Sequence, residues 1–229
     1  VLDLLNDSVR MRLRSDVPLG LFLSGGTDSS AIAALVSKFG KKLKTFSIGF
    51  EGGHEFNELR YAKVVADRFG TDHHEMILDP DSFRDFFPRF VYQMEEPVTE
   101  GPAIPLYFLS QLASQHVKVV LSGEGSDEIF AGYPIYHYMR VIEQYRRIPQ
   151  WMRQRLLNPF LMAAWPSAKI GKYVHLSDLP LEQRYLNVNL YDVRLREGLY
   201  HPGVRPALAN LDALRSVKDI YRQTESSDV

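Results

Sequence analysis

The 229 residues include no cysteine. Disulfides, thiolate zinc sites, iron–sulfur clusters and cysteine nucleophiles are therefore excluded from this chain, and any chemistry it performs rests on oxygen, nitrogen or metal ions. Apolar runs are short: none approaches the roughly 18 residues that a membrane-spanning helix needs, and no basic segment leads into an apolar one at the N-terminus. No membrane partner is expected, and a cytoplasmic location is the default. An excess of one charge is also missing, since 27 basic and 28 acidic residues leave a formal net charge of -1. That balance argues against a general nucleic-acid binder. Internal repeats and low-complexity tracts are absent as well. What is there, 45% hydrophobic and 24% charged, is the composition of a globular chain able to bury one sizeable core.

Hydrophobic periodicity supplies the order of elements. Leu2, Leu5, Val9 and Leu13 recur at helical spacing, and Pro18 closes that segment before the strand-like run Leu19, Leu21, Phe22, Leu23. Ser24-Gly25-Gly26 turns the chain into a helix carrying Ala31 to Val36, which Gly40 ends. A second strand is expected over 43–50, a helix over about 57–69 stopped by Gly70, and a third strand over 73–78. Phe83, Phe86, Phe87, Phe90, Val91 and Met94 form a helical stripe that Pro88 should kink or divide. Another helix is expected over 105–116, then a short strand over 117–121 that enters Ser122-Gly123. Strand–helix alternation of this kind implies an α/β fold, a doubly wound, mostly parallel sheet covered on both faces. Beyond Tyr133 the chain reads as helical, and the Arg side chains of 133–165 are expected on the solvent face rather than stacked on nucleic acid. Residues 224–229 read as a loop or a cut end.

The turn Leu23-Ser24-Gly25-Gly26-Thr27-Asp28-Ser29-Ser30 lies between a strand and a helix, where ligands bind in open α/β sheets. Two glycines allow close backbone approach, Ser24, Ser29 and Ser30 add hydroxyls, and the amides at the helix start carry partial positive charge. Together they suit a phosphate. The loop is not a Walker motif, because no Lys follows its last glycine. Asp28 beside phosphates instead suggests a bridging magnesium ion, which prefers oxygen ligands shared with phosphate. An isolated Ser-Gly-Gly is more often a plain helix cap. The full eight residues, however, resemble the pyrophosphate loop of the ATP-pyrophosphatase (PP-loop) superfamily.

A second loop narrows the resemblance. Leu121-Ser122-Gly123-Glu124-Gly125-Ser126-Asp127-Glu128-Ile129-Phe130-Ala131-Gly132-Tyr133 gathers three carboxylates in one turn, an arrangement that repels itself unless a cation is near. It resembles the second signature of the synthetase domain of glutamine-hydrolysing asparagine synthetases, with Ala131 where glycine is usual. Thr45-Phe46-Ser47-Ile48-Gly49-Phe50 is similar to the family's adenine-contacting strand, and Asn57-Glu58 with Tyr61-Ala62 to the helix after it. His73-His74-Glu75 also fits the family pattern, and the His pair is read as structural rather than metal-binding.

The resemblance implies an adenine nucleotide α-hydrolase-like fold with a nucleotide-binding core over 1–140 and a helical extension over 141–229. It implies that Leu23, Ile48 and Gly49 line the adenosine site with Ser122 and Gly123 nearby, and that Ser24, Gly25, Gly26, Asp28, Ser29 and Ser30 hold pyrophosphate. Asp28 and Asp127 become the magnesium-linked carboxylates, and Glu124 and Asp127 the catalytic pair. ATP and Mg2+ are the implied cofactors. Aspartate is activated as β-aspartyl-AMP with release of pyrophosphate, and ammonia then displaces AMP, Glu124 accepting the proton.

The family draws its ammonia from glutamine through an N-terminal glutaminase domain that begins with cysteine, so that domain is expected outside this chain as a partner. The match is close over about 1–140 and thinner beyond, which leads to the expectation of an excised or truncated domain. Gly101 falls where short forms carry an aspartate-binding Arg, and Pro102 where long forms carry Ser, so the acceptor carboxylate is left open. A β-lactam synthetase-like enzyme shares both loops, and a non-catalytic ATP-binding fragment is the alternative from a different class.

Overall fold

A computed structural model describes residues 1–40, 42–52, 57–95, 98, 101–164, 167–180, 184, 198–208 and 215–223. The expected loop at 224–229 lies outside them. The chain divides into two compact units, Val1–Ile129 and Phe130–Val229.

In the first unit, four parallel strands stand in the order β3-β2-β1-β4: β1 (Leu19–Phe22), β2 (Lys44–Phe50), β3 (Asp72–Leu78) and β4 (Val119–Leu121). Parallel neighbours require crossovers, and here these are helices: α2 (Thr27–Lys38), α3 (Leu59–Phe69), and α4 (Pro80–Met94) followed by α5 (Ala103–Ser114). An initial helix, α1 (Leu2–Arg12), precedes β1, and the five-residue α6 (Ser126–Phe130) follows β4.

Alternation along the strands sends neighbouring side chains to opposite faces. Leu21 and Leu23 pack with Val9, Leu13, Ala33, Val36, Ala62 and Ala66, from α1 to α3. Phe22, Phe46 and Ile48 pack with Leu109 and Ala113 of α5 on the other face. The sheet is thus doubly wound, and its inner strand β1 is apolar on both sides, as burial on both faces demands. Helix ends follow the expected chemistry: Gly70 adopts a left-handed φ of 62° to stop α3, and Asp79 accepts the Ser82 amide at 2.8 Å to start α4.

Of the kink or division expected at Pro88, division does not occur: helix α4 runs through it. Arg84, whose carbonyl loses its amide partner, and Pro88 are both exposed, so the loss falls on the solvent face, while Phe86 and Phe90 anchor both halves of the helix against Ile104. Of the six-residue stripe, Phe83, Phe86 and Phe90 face this cluster, whereas Phe87, Val91 and Met94 are exposed.

The described residues of the second unit are helical: α7 (Pro134–Arg146), α8 (Gln150–Met152) leading through a π-helical turn (Arg153–Leu157) into α9 (Asn158–Ala164), α10 (Ala168–Asp178), and two short helices, Arg205–Leu208 and Arg215–Gln223. Ile135, Met139 and Ile142 line one face of α7 and pack on Tyr173 and Leu176 of α10. Arg153 is buried rather than on the solvent face, with its guanidinium 3.1 Å from the Ser177 hydroxyl and 3.2 Å from Asp178. Arg184 is likewise buried and paired with Glu143. A guanidinium is tolerated inside only with such partners. Among the described residues no helix is long and apolar enough to cross a membrane.

Candidate active site

Strand β1 ends in a turn whose serines organise one another. The Ser29 hydroxyl accepts the Ser24 amide at 3.3 Å, lies 3.1 Å from the Ser24 hydroxyl, and donates to the Gly26 carbonyl at 3.3 Å. The Gly26 amide donates to the Ser24 hydroxyl at 3.2 Å. The cap residue of α2 is Gly26, which has no side chain to take up the first free amides of the helix. Those donors remain available for an anion. The hydroxyl oxygen of Ser30 is buried with no partner among the described residues.

Three elements hold this turn from outside. A β-carbon at Gly25 would lie 2.4 Å from the Tyr61 carbonyl carbon, so the first turn of α3 rests directly on the glycine. Gly25 also has φ 80°, a conformation that glycine adopts at little cost. The Ser47 hydroxyl of β2 donates to the Leu23 carbonyl, fixing the end of β1. At Gly123 a β-carbon would come within 3.0 Å of both the Asp28 β-carbon and the Ser29 amide nitrogen, so the acidic loop packs against the start of α2.

These elements enclose a cavity of about 290 Å³ lined by Phe22, Leu23, Ser24, Gly26, Asp28, Ser29, Phe46, Ser47, Ile48, Glu58, Leu59, Ala62, Leu109, Gly123 and Glu124. One part of the lining is apolar and the other is the hydroxyl-bearing turn, the division that a nucleoside with its phosphates requires. Its three carboxylates, Asp28, Glu58 and Glu124, are accompanied by no Lys or Arg. Oxygen donors suit magnesium, and a polyphosphate seated on the Ser24–Ser30 turn would call for such a cation beside Asp28. A second concavity, about 410 Å³, lies between α1 and the end of α2. Its Asp7 and Arg10 satisfy each other at 2.6 Å.

Of the residues singled out from sequence, Leu23, Ser24, Gly26, Asp28, Ser29, Ile48, Gly123 and Glu124 line the cavity. Gly25 and Ser122 lie in its supporting loops, Ser30 in the first turn of α2 and Gly49 near the end of β2, and none of the four is part of the lining. Asp127 sits in the first turn of α6, beside Glu128 and also outside the lining. Among the described residues no group of three His, Cys, Asp or Glu side chains converges as a metal site. Sequence reasoning did not single out Glu58, Leu59, Ala62 and Leu109, which arrive from α3 and α5. Only the fold brings them there, although Glu58 and Ala62 were part of the resemblance.

The histidines lie elsewhere. The His73 ring is 2.8 Å from the Thr45 hydroxyl and 3.0 Å from Glu75, and burial lowers its pKa while Glu75 opposes that shift. The His74 ring contacts those of Phe46 and His116, with centroids 5.4 and 4.0 Å away, and those two rings are 5.8 Å from each other.

Comparison with known proteins gives concordant relatives. The family model described as asparagine synthase matches residues 1–217, well past residue 140 where the motif-level resemblance thins. The chain is 37% identical over 209 residues to asparagine synthetase [glutamine-hydrolyzing] 1 of Bacillus subtilis, covering 89% of this chain and 33% of that protein. It is 38% identical over 216 residues to a putative asparagine synthetase [glutamine-hydrolyzing] of Mycobacterium bovis, covering 93% and 32%. The chain thus spans about a third of the length of these curated relatives. Among solved structures it is similar to an NH3-dependent NAD synthetase from Campylobacter jejuni, with TM-score 0.43 and 12% identity over 83% of this chain and 96% of that one.

Proposed function

The chain belongs to the asparagine synthase family, and from that premise we propose that it is the adenylating part of a carbon–nitrogen ligase that makes asparagine from aspartate, ATP and ammonia. The observation that carries the reading is the cavity itself: a phosphate-sized turn with free helix amides, opening beside an apolar wall and Glu124.

In this reading the adenosine lies against Leu23 and Ile48, near Gly49, Ser122 and Gly123. The α-, β- and γ-phosphates lie along Ser24 to Ser30. The amides at the start of α2 and the Ser24 and Ser29 hydroxyls face the pyrophosphate as it leaves, where negative charge grows. Asp28 and Asp127 are the carboxylates that would hold Mg2+, which when bound neutralises phosphate charge.

The β-carboxylate of aspartate attacks the α-phosphorus, forming β-aspartyl-AMP and releasing pyrophosphate. Ammonia then attacks the acyl carbon, AMP leaves with the carboxylate oxygen, and Glu124 accepts the proton shed by the nitrogen. The ammonia comes from glutamine through a glutaminase domain, a partner that the names of the relatives support.

The test is pyrophosphate release from ATP and Mg2+ with and without aspartate and ammonium. Release that depends on aspartate supports the reading, and steady-state formation of asparagine with ammonium is expected to fall at least about a hundredfold in Glu124→Gln. Release indifferent to aspartate contradicts it.

A further inference from the structure

The start of α3 presses on the end of β2. A β-carbon at Gly49 would lie 2.5 Å from Leu59 Cδ1 and 2.8 Å from Asn57 Oδ1. The same Asn57 oxygen accepts the Leu59 amide at 3.1 Å, so Asn57 takes over the capping of the helix. Glu58, the residue between them, contributes its backbone carbonyl to the Tyr61 and Ala62 amides at 2.9 and 3.0 Å. Its side chain makes no capping bond and no ion pair with the described residues. Yet it lines the cavity, on the wall formed by Ile48, Leu59 and Ala62.

A carboxylate left over in this way repels phosphate and finds no cation in the lining. What it can accept is a neutral donor. Ile48 and Leu59 offer apolar surface beside it, suited to the faces of a flat ring, and leave the ring edge for the carboxylate. Resting on the nucleotide-binding reading above, we infer that Glu58 selects the base, accepting a hydrogen bond from the exocyclic amine of adenine. A 6-oxo base presents an acceptor at that point and is repelled. The alternative role for an acid at a helix start, interaction with the helix dipole, changes helix stability and not base preference.

The test is calorimetric titration of the 229-residue chain, with Mg2+, using ATP, ITP and 2′-deoxy-ATP, for the wild type, Glu58→Ala and Glu58→Gln. A hydrogen bond to a charged group predicts that the wild type prefers ATP over ITP by roughly tenfold or more. Glu58→Ala brings that ratio close to one. Glu58→Gln narrows or reverses it, because the amide can donate to the 6-oxo group. A shift in thermal midpoint with the ATP:ITP ratio unchanged overturns the inference and leaves nucleotide binding standing. So does a substitution that affects only the discrimination against 2′-deoxy-ATP, which would assign Glu58 to the ribose. Failure of the wild type to bind ATP overturns both this inference and the reading it rests on.

Discussion

Gly25 and Tyr61 are in direct backbone contact: a β-carbon on Gly25 would lie 2.4 Å from the Tyr61 carbonyl carbon and 2.5 Å from the Ala62 nitrogen. The contact joins the turn after β1 to the first turn of α3, and so joins the phosphate side of the cavity to the wall that carries Leu59 and Ala62. Gly25→Ala meets both this overlap and a φ of 80°, and is expected to cost about 2 kcal/mol or more of unfolding free energy. Gly26→Ala is the control. Its nearest neighbour would be Ser24 Oγ at 3.3 Å and its φ is -69°, so a loss below about 1 kcal/mol is expected. Denaturant titration of the two variants measures the difference.

Ser47→Ala removes the only hydroxyl on β2 that reaches the Leu23 carbonyl among the described residues. Ser47 is buried, so that carbonyl loses a donor where water does not readily replace it. A loss of about 1–3 kcal/mol is expected. The end of β1 should also loosen, weakening ATP affinity along with stability. A variant as stable as the wild type would show that the bond does not hold the strand end.

Asp28→Asn tests the cation requirement of a cavity with three carboxylates and no basic side chain. In the wild type, Mg2+ is expected to tighten ATP binding. In the variant that gain should shrink by at least about tenfold, with ATP affinity in the absence of Mg2+ preserved or improved. Titrations with and without the ion read both quantities.

The pH dependence of stability has a defined sign. Burial lowers the pKa of His73 below its ordinary 6.5, so as pH falls below that value the unfolded chain takes up a proton that the folded chain resists. Stability therefore decreases on acidification through this window. His116 is shifted in the same direction, chiefly by desolvation, and adds to the effect. At lower pH, Asp72, held down by its hydrogen bond from Lys44, gives up stability as it protonates below 3.8. His73→Asn should flatten the fall in thermal midpoint between about pH 7.5 and 5.5. An unchanged slope would remove His73 from the account.

The sheet was legible because its signals are local: apolar runs at Leu19–Phe22 and Lys44–Phe50, the stop at Gly70, and the Ser-Gly-Gly turn between strand and helix. Ser24, Asp28, Ser29 and Glu124 could be singled out for the same reason, since each sits in a strand-end loop with its own chemistry. Glu58, Leu59, Ala62 and Leu109 were not legible as cavity wall. Their place depends on how closely α3 and α5 approach the sheet; α3 comes to rest on Gly25 and Gly49, and α5 packs on Phe46 through Leu109 and Ala113. Whether Pro88 would divide its helix was not legible for a related reason: that depends on which face loses the hydrogen bond, and the Pro88 face is exposed. The burial of Arg153 follows from Ser177 and Asp178, more than 20 residues away.

The central claim is that a carboxylate attacks the α-phosphorus of ATP in this cavity. The most direct measurement uses aspartate labelled with 18O in its β-carboxylate, together with ATP, Mg2+ and ammonium, and determines by mass spectrometry where the label ends. The account predicts one 18O in the AMP produced, with pyrophosphate unlabelled. AMP without label, or ADP formed with the label in inorganic phosphate, would contradict it.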